Sequence, residues 1–232
     1  MRQLPLGVRL PAHAVFESFA TGANSEILAA LRDSSATPVW IWGAHGSGKT
    51  HLLQAACAAA ATLESGTGAY FSLDPSLQLP PEALLGFERA RVLCIDAVDR
   101  IAGDEAWERA LFELFNAAGE VATKLIFAAT VAPRRLDWRL DDWRSRAAAC
   151  VVYQLQELDD AGRGEALRLR AAQRGLQLPQ ETCEYLLKRM PRDLPSLCKL
   201  LDELDEASLV AQRRLTIPFI RDALEKHAGI KS

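Results

Sequence analysis

The 232-residue sequence lacks the features of several large classes of protein. It has no hydrophobic run of transmembrane length and no apolar signal core at its N-terminus, so we expect a soluble protein that stays in the cytoplasm. Its net charge is -3 at pH 7, so it lacks the general basic excess with which many proteins bind nucleic acid. Internal repeats are also missing. What remains is an ordinary globular composition, long enough for one large domain or for a larger and a smaller one.

Cysteine and histidine are few and scattered. The five cysteines form no CxxC pair, and three of them lie in apolar runs, which is typical of reduced core residues in a cytosolic protein. The four histidines do not have the spacing of metal ligands. The sequence therefore predicts neither a disulfide framework nor a His/Cys metal site. The cysteines are Cys57, Cys94, Cys150, Cys183 and Cys198.

Short apolar runs alternate with helical patterns over the first two thirds of the chain, which predicts a parallel sheet covered by helices on both faces. From Asp159 onward no strand pattern appears, and the boundary between the two parts falls near Glu157–Asp160. The predicted strands are 39–42, 69–73, 92–95, 125–129 and 150–153. The predicted helices are 51–63, 105–118, 161–173, 180–189 and 194–213, with a further one beginning at Thr216. A stripe of Leu197, Leu200, Leu201 and Leu204 indicates core packing.

The clearest motif is the segment Gly43-Ala44-His45-Gly46-Ser47-Gly48-Lys49-Thr50, which satisfies GxxxxGK[ST] and lies between a predicted strand and a predicted helix. Its glycines let several backbone N–H groups point at a phosphate, and the helix N-terminus adds a partial positive charge. Lys49 is expected to neutralise the β- and γ-phosphate oxygens, and the Thr50 hydroxyl to bind Mg²⁺. The segment predicts a site for ADP or ATP.

A second strand supplies the partner of this loop. Residues 92–95 are apolar and end in Asp96, which is expected to hold Mg²⁺ through water at the carboxyl end of the sheet. Efficient hydrolases of this class have another acidic residue at the next position, where this chain has Ala97. Asp99 lies two residues further on, and the sequence leaves its geometry open. The site is therefore expected to hold nucleotide better than it hydrolyses it.

The chain resembles the DnaA family of AAA+ proteins. The resemblance rests on residues 48–55, 95–105 and 107–108, on 186–189, 201–205 and 214–219 towards the C-terminus, and on the pattern Phe16-x-x-Phe19 with Gly22-x-Asn24. Within the family, the closer similarity is to the DnaA-homologous regulators that inactivate DnaA. It implies an AAA+ core at 13–158, a helical lid at 159–232 and an N-terminal tail at 1–12. The sequence ends after the predicted lid, so we expect no C-terminal DNA-binding domain and contact with DNA only through the clamp.

The resemblance implies a function and several site residues. The family's regulators, loaded on the sliding clamp (the β subunit of DNA polymerase III), stimulate ATP hydrolysis by DnaA and prevent repeated initiation. Arg146 matches the arginine finger that acts in trans, and Arg192 matches the sensor-2 arginine that contacts the nucleotide. Gln3, Leu4 and Leu6 resemble a clamp-binding peptide. The expected nucleotide contacts also include His51, which follows Thr50.

Alternatives remain at this level. The chain could be a stand-alone ATPase that remodels or loads a replication protein, and steady-state turnover separates this from the regulator. Direct recognition of a replication origin is disfavoured by the charge and by the expected lack of a DNA-binding domain. The family carries a more polar sensor-1 segment where this chain has residues 128–133, so only Thr130 could fill that role.

Overall fold

The computed structural model of the chain describes residues 14–62, 66–189, 193–211 and 215–221, and it divides into two compact units. The first unit contains residues 23–157 together with the stretch that ends at Phe16, and the second contains 17–22 and the chain from Leu158 onward. The sequence analysis had instead placed residues 17–22 in the predicted core, 13–158. Within the described ranges, no helix is long and apolar enough to cross a lipid bilayer.

The first unit is built on a five-stranded sheet in the order β2-β3-β4-β1-β5, in which all neighbouring strands are parallel. The strands are β1 (Val39–Trp42), β2 (Gly68–Ser72), β3 (Val92–Asp96), β4 (Lys124–Ala129) and β5 (Val151–Gln154). The central strands β1, β3 and β4 are almost entirely buried, as continuous apolar runs require in a sheet covered on both faces. The predicted parallel sheet is confirmed, with each strand boundary within one residue.

Among the described residues, the first unit has the α-helices α1 (Ser25–Arg32), α2 (Lys49–Ala61), α3 (Glu105–Glu120) and α4 (Asp141–Ala149). The sequence analysis predicted α2 and α3 and missed the other two. Helix α4 buries only Trp143 and Ala147, so its nine residues carry no periodic apolar stripe. Arg146 therefore lies in a helix that the sequence analysis did not predict.

An aromatic cluster fixes α4 against the sheet. The ring of Trp143 lies 5.6 Å from that of Phe127 on β4, and 5.9 Å from that of Trp138 in the preceding loop. Trp40 on β1 stacks on the same group, 5.7 Å from Phe127. Aromatic pairs in tilted and edge-to-face geometry contribute about 0.5–1.5 kcal/mol each beyond their buried area. This packing holds a helix that its own sequence barely specifies.

The second unit is helical. It contains α5 (Asp160–Gln173), α6 (Gln180–Arg189), α7 (Leu194–Ala211) and a helical turn at 217–221. The predicted leucine stripe of α7 is buried, which confirms its role in core packing. Across the helix pair α5–α7, the Arg170 guanidinium binds both carboxylate oxygens of Asp202, at 3.0 and 3.2 Å, and Arg174 joins this ion pair at 2.9 Å.

Candidate nucleotide site

Residues 43–50 connect the end of β1 to the start of α2, at the carboxyl edge of the sheet. Gly43 leaves no room for a side chain, because a Cβ there would lie 2.9 Å from the carbonyl oxygen of Leu155. Gly48 precedes α2 with φ of 100°, a left-handed conformation that favours glycine. These two positions show why the loop needs glycine, and the loop delivers its backbone to the N-terminus of α2.

The Lys49 ammonium is folded back over the loop. Its Nζ donates to the carbonyl oxygens of Gly43 at 2.7 Å and Ala44 at 2.8 Å. Burial lowers the pKa of Lys49, and the nearby carboxylates of Asp96 and Asp99 oppose that shift. The ammonium thus lies within the curve of the loop, where an anionic ligand would meet it.

Asp96 at the end of β3 is the meeting point of three donors. Its Oδ2 accepts a hydrogen bond of 2.6 Å from the Thr50 hydroxyl and one of 2.9 Å from the Tyr70 hydroxyl, and its Oδ1 accepts from the Ala97 N–H at 2.8 Å. The structure therefore brings together the predicted metal-binding pair, Thr50 and Asp96. Hydroxyl and carboxylate oxygens are the ligands that Mg²⁺ prefers, together with water.

Tyr70 is a site residue that the sequence analysis missed. Burial raises its pKa above the ordinary tyrosine value, and the charge of Asp96 together with their hydrogen bond adds to that shift. Parallel strands β2 and β3 pair Ser72 with Asp96, and side chains two residues apart share a sheet face. A register assignment for β2 and β3 would thus have indicated that Tyr70 and Asp96 face the same side.

The position after Asp96 has an unusual backbone. Ala97 has φ of 60° and ψ of 37°, the left-handed conformation that L residues rarely adopt. Asp99 lies in the following short turn, and both its carboxylate oxygens are engaged by Thr130: Oδ2 by the hydroxyl at 2.7 Å and Oδ1 by the N–H at 3.1 Å. Asp99 is the next acidic residue after position 97, where the water-polarising carboxylate is missing. Its side chain is thus hydrogen-bonded to the residue that follows β4.

Two residues named in the sequence analysis, His51 and Asn24, form hydrogen-bond contacts with the backbone near the loop. The His51 ring nitrogen Nε2 lies 3.1 Å from the carbonyl oxygen of Val15. Asn24 is buried, and its side-chain amide bonds the backbone of Gln156 twice, accepting at 2.8 Å and donating at 3.1 Å. These bonds fix the exit of β5 beside the loop. Arg192, Gln3, Leu4 and Leu6 lie outside the described residues.

The residues present fit a nucleotide. The Ser47 hydroxyl oxygen is buried and has no hydrogen-bond partner in the part of the chain that the structure describes. Buried polar atoms in native proteins are nearly always paired, so an unpaired one in a glycine-rich loop indicates a polar ligand. Lys49, Thr50 and Asp96 supply the cation, hydroxyl and carboxylate that phosphates with Mg²⁺ require.

The two arginines of α4 differ in their surroundings. The Arg144 guanidinium pairs with Asp141 at 2.6 Å and donates to the Trp138 carbonyl at 2.5 Å. Arg146 is exposed, and its guanidinium lies 5.9 and 5.8 Å from the ring centres of Phe112 and Phe115. No carboxylate among the described residues pairs with Arg146.

Comparison with known proteins shows which proteins share this fold. Residues 152–224 match the family model for the lid domain of Hda. Domain III of the replication initiation protein DnaA from Thermotoga maritima superposes with a TM-score of 0.75, over 94% of this chain and 98% of that domain, at 20% identity. This chain has the fold of the AAA+ domain of DnaA, with a C-terminal part that matches the Hda lid domain. The predicted fold class and family resemblance are therefore confirmed.

Two further solved structures share the fold over a smaller part of their own length. AMPPCP-bound DnaA from Aquifex aeolicus has a TM-score of 0.67 and 25% identity, with 84% of this chain aligned to 65% of that one. The RuvB Holliday junction branch migration motor of Thermotoga maritima has a TM-score of 0.58 and 17% identity, over 82% of this chain and 61% of that one. The chain thus spans about two thirds of the Aquifex protein, and the second likeness concerns the fold alone.

Proposed function

We propose that this chain binds ADP or ATP with Mg²⁺ and acts as a regulator that stimulates ATP hydrolysis by DnaA. The Lys49 ammonium would neutralise the phosphate oxygens, and Thr50 and Asp96 would hold Mg²⁺, partly through water. Arg192 would contact the nucleotide from the lid. Support for the nucleotide comes from the geometry of residues 43–50, and support for the DnaA connection comes from the fold and the lid domain.

The main support for the regulatory role is a contrast between two positions. Residue 97 lies next to the chain's own candidate nucleotide site, and residue 146 is the proposed contact with the ATP of DnaA. Ala97 leaves the chain without the usual water-polarising carboxylate for its own nucleotide, whereas Arg146 is exposed and unpaired with any carboxylate in the described ranges. A guanidinium supplied in trans stabilises the charge that develops on a transferring phosphoryl group, and in GTPases it accelerates hydrolysis by about 10³–10⁵. Arg146 would serve the ATP of DnaA in this way.

The proposal includes delivery by the sliding clamp. Gln3, Leu4 and Leu6 would dock on the clamp as an extended peptide, with leucines in an apolar pocket and the glutamine hydrogen-bonded at its rim. Clamp loaded on DNA would then concentrate the regulator where new strands have been made, and re-initiation would be repressed after synthesis begins. Contact with DNA is thereby indirect.

The test is an assay of ATP hydrolysis by DnaA with this chain, with clamp loaded on DNA, and with both. We expect hydrolysis to accelerate only when both are present. An unchanged rate with all components at saturating concentration would refute the regulatory role. A rate that rises equally without clamp would leave the finger intact and remove the clamp from the proposal.

A stand-alone ATPase that remodels or loads a replication protein is the second candidate, and one observation favours it. Asp99 lies close enough to Lys49 to affect that lysine's pKa, so a carboxylate other than residue 97 is present near the phosphate site. Its two oxygens are engaged by Thr130, which argues against its use as a base for water. Steady-state turnover of the isolated chain separates this candidate from the regulator.

A further inference from the structure

A buried carboxylate on α3 accepts hydrogen bonds from the backbone that leads into the helix carrying Arg146. Glu108 on α3 is completely inaccessible to solvent. Its Oε1 accepts a hydrogen bond of 2.8 Å from the Gly103 N–H. Its Oε2 accepts two more, from the N–H groups of Arg139 at 2.9 Å and Leu140 at 2.7 Å. No cation of the described residues pairs with it.

The complete burial of a carboxylate needs a physical explanation. An ionised carboxylate removed from water costs several kcal/mol unless charge-assisted hydrogen bonds replace its hydration. An apolar side chain at position 108 would fill the same space without that cost, but it would leave three backbone N–H groups unpaired in the interior. Each unpaired group costs about 1–3 kcal/mol. The carboxylate therefore joins the N-terminal end of α3 to the separate backbone segment that leads into α4.

The two backbone stretches lie at the N-terminal ends of different helices, α3 and α4. Gly103 ends the loop that leaves β3 after Asp96, with φ of 87°. Arg139 and Leu140 are the last residues before α4, and Leu140 is its N-cap position without any side-chain cap. Helix N-termini need acceptors for N–H groups that have no intrahelical partner. Glu108 provides this acceptor from a neighbouring helix, at the entry to α4.

Glu108 shares one face of α3 with the aromatic side chains beneath Arg146. Phe112 and Phe115 follow it at i+4 and i+7, the spacing that places side chains along one side of a helix. Helix α4 is thus held by α3 at its entry through Glu108 and near its end through the Arg146 guanidinium over the two rings. With only nine residues, α4 is shorter than a helix that is stable alone in water.

We propose that Glu108 is a positioning residue for Arg146: its carboxylate fixes the start of α4 and thereby the direction in which the guanidinium is presented to a partner's nucleotide. This inference rests on the proposed function. An arginine that acts on a developing phosphoryl charge must be held within a fraction of an ångström, because small displacements of a catalytic group cost large factors in rate.

The test uses Glu108→Gln, which keeps size and shape but turns one of the two accepting oxygens into a donor. Glu120→Gln, at an exposed position of the same helix, is the matched control. Hydrogen exchange in the isolated protein should become at least tenfold faster at the amides of α4 in Glu108→Gln, while those of β3 and β4 stay unchanged. The control should exchange like the parent. Unchanged exchange in α4 would overturn the positioning role.

The second readout is stimulation of DnaA. We expect the maximal stimulated rate to fall at least tenfold in Glu108→Gln, with the concentration for half-maximal stimulation within twofold of the parent. General misfolding would instead raise that concentration. A maximal stimulated rate equal to that of the parent would overturn the positioning role.

These arms separate the two hypotheses. If Arg146→Ala stimulates DnaA normally, the trans role of Arg146 fails, and the exchange result still decides whether Glu108 holds α4. If Glu108→Gln does not fold, Glu108→Asp takes its place with the same readouts. That variant keeps the charge but is shorter by one methylene, so it cannot reach both segments, and faster exchange in α4 is again expected.

Discussion

At the scale of single residues, the two arginines of α4 allow the sharpest test of the proposed function. Arg146→Ala should abolish stimulation of DnaA, since the variant lacks the guanidinium that would face the phosphoryl group. Folding, nucleotide affinity and clamp binding should be nearly unchanged, because Arg146 is exposed and its guanidinium contacts only aromatic rings in the described part of the chain. Arg146→Lys should fail as well, because a point charge lacks the planar donor fork. ATP hydrolysis by DnaA with clamp provides the measurement.

Arg144→Ala is the control for that experiment. The side chain of Arg144 pairs with Asp141 and bonds the Trp138 carbonyl, so its loss should lower the free energy of unfolding by about 1 kcal/mol or less. Stimulation should persist. If Arg144→Ala abolishes stimulation and Arg146→Ala does not, the finger has been assigned two residues out of register.

Sequence reasoning pointed to the candidate site residues that a motif defines by their spacing. It missed those that only the folded structure brings together. Residues 43–50 and Asp96 were recognisable because a motif defines them, and the structure brings Thr50 to Asp96. Tyr70 was not, because only the pairing of β2 with β3 brings its hydroxyl to Asp96. Glu108 is part of an ordinary amphipathic helix in sequence, and its three backbone donors come from loops that no pattern connects to it.

At the scale of secondary-structure elements, the start of β2 should tolerate no side chain. A Cβ on Gly68 would lie 2.1 Å from the Cys57 carbonyl oxygen of α2, a backbone atom that cannot move without the helix. Gly68→Ala should therefore lower the free energy of unfolding by about 2–3 kcal/mol or more. Chemical denaturation measures this change.

Gly119→Ala is the matched control for the close approach at β2. A Cβ at Gly119 meets nothing within 4 Å, and the residue lies in α3, where alanine is favoured over glycine by about 0.5–1 kcal/mol. This variant should be as stable as the parent or more so. A loss equal to that of Gly68→Ala would indicate that glycine flexibility, and not space, is required at both sites.

The N-terminal tail gives a second prediction about an element. Removal of residues 1–7 should abolish binding to the sliding clamp, because Gln3, Leu4 and Leu6 are the proposed contacts. Thermal stability should not fall, since a few terminal residues usually contribute little to the core. The affinity is measured by binding of the chain to surface-immobilised clamp. The variant Gln3→Ala tests one of the proposed contacts alone. Unchanged affinity after truncation would place the clamp contact elsewhere.

Elements followed their sequence patterns to different extents. The five strands lie close to their predicted positions because short continuous apolar runs specify them. Helices α3 and α6 do so because their apolar residues recur with the helical period. Helix α4 was missed because Trp143 and Ala147 are its only buried residues, and its position depends on aromatic rings from β1 and β4. Tertiary packing, and not local propensity, decided its conformation.

At the scale of the whole molecule, bound nucleotide should stabilise the fold. Ligand at a hundred times its dissociation constant adds about 2.7 kcal/mol to the free energy of unfolding. ADP or ATP with Mg²⁺ should therefore raise the melting temperature, and removal of Mg²⁺ with a chelator should reduce the rise. Lys49→Ala should lose most of it. A melting temperature that saturating nucleotide leaves unmoved would contradict the proposed site.

Hydrolysis by the isolated chain should be slow. Ala97 offers no carboxylate to polarise water, and Asp99 is engaged by Thr130. Steady-state release of phosphate should fall far below the value of about 10 per second that is typical of enzymes. Turnover near that value would favour the stand-alone ATPase. Ala97→Glu tests whether the carboxylate is the missing component, and Ala97→Asn controls for the backbone.

The left-handed backbone of Ala97 has a consequence for how this site could change over evolutionary time. An L residue there costs about 1–2 kcal/mol, glycine relieves the strain, and asparagine tolerates it best among the longer side chains. A mutation to glutamate would supply an acid and keep the strained backbone, with a longer side chain to place. We therefore expect an acidic residue at position 97 to become effective only when the neighbouring turn changes as well, so that this substitution alone would rarely create a hydrolase.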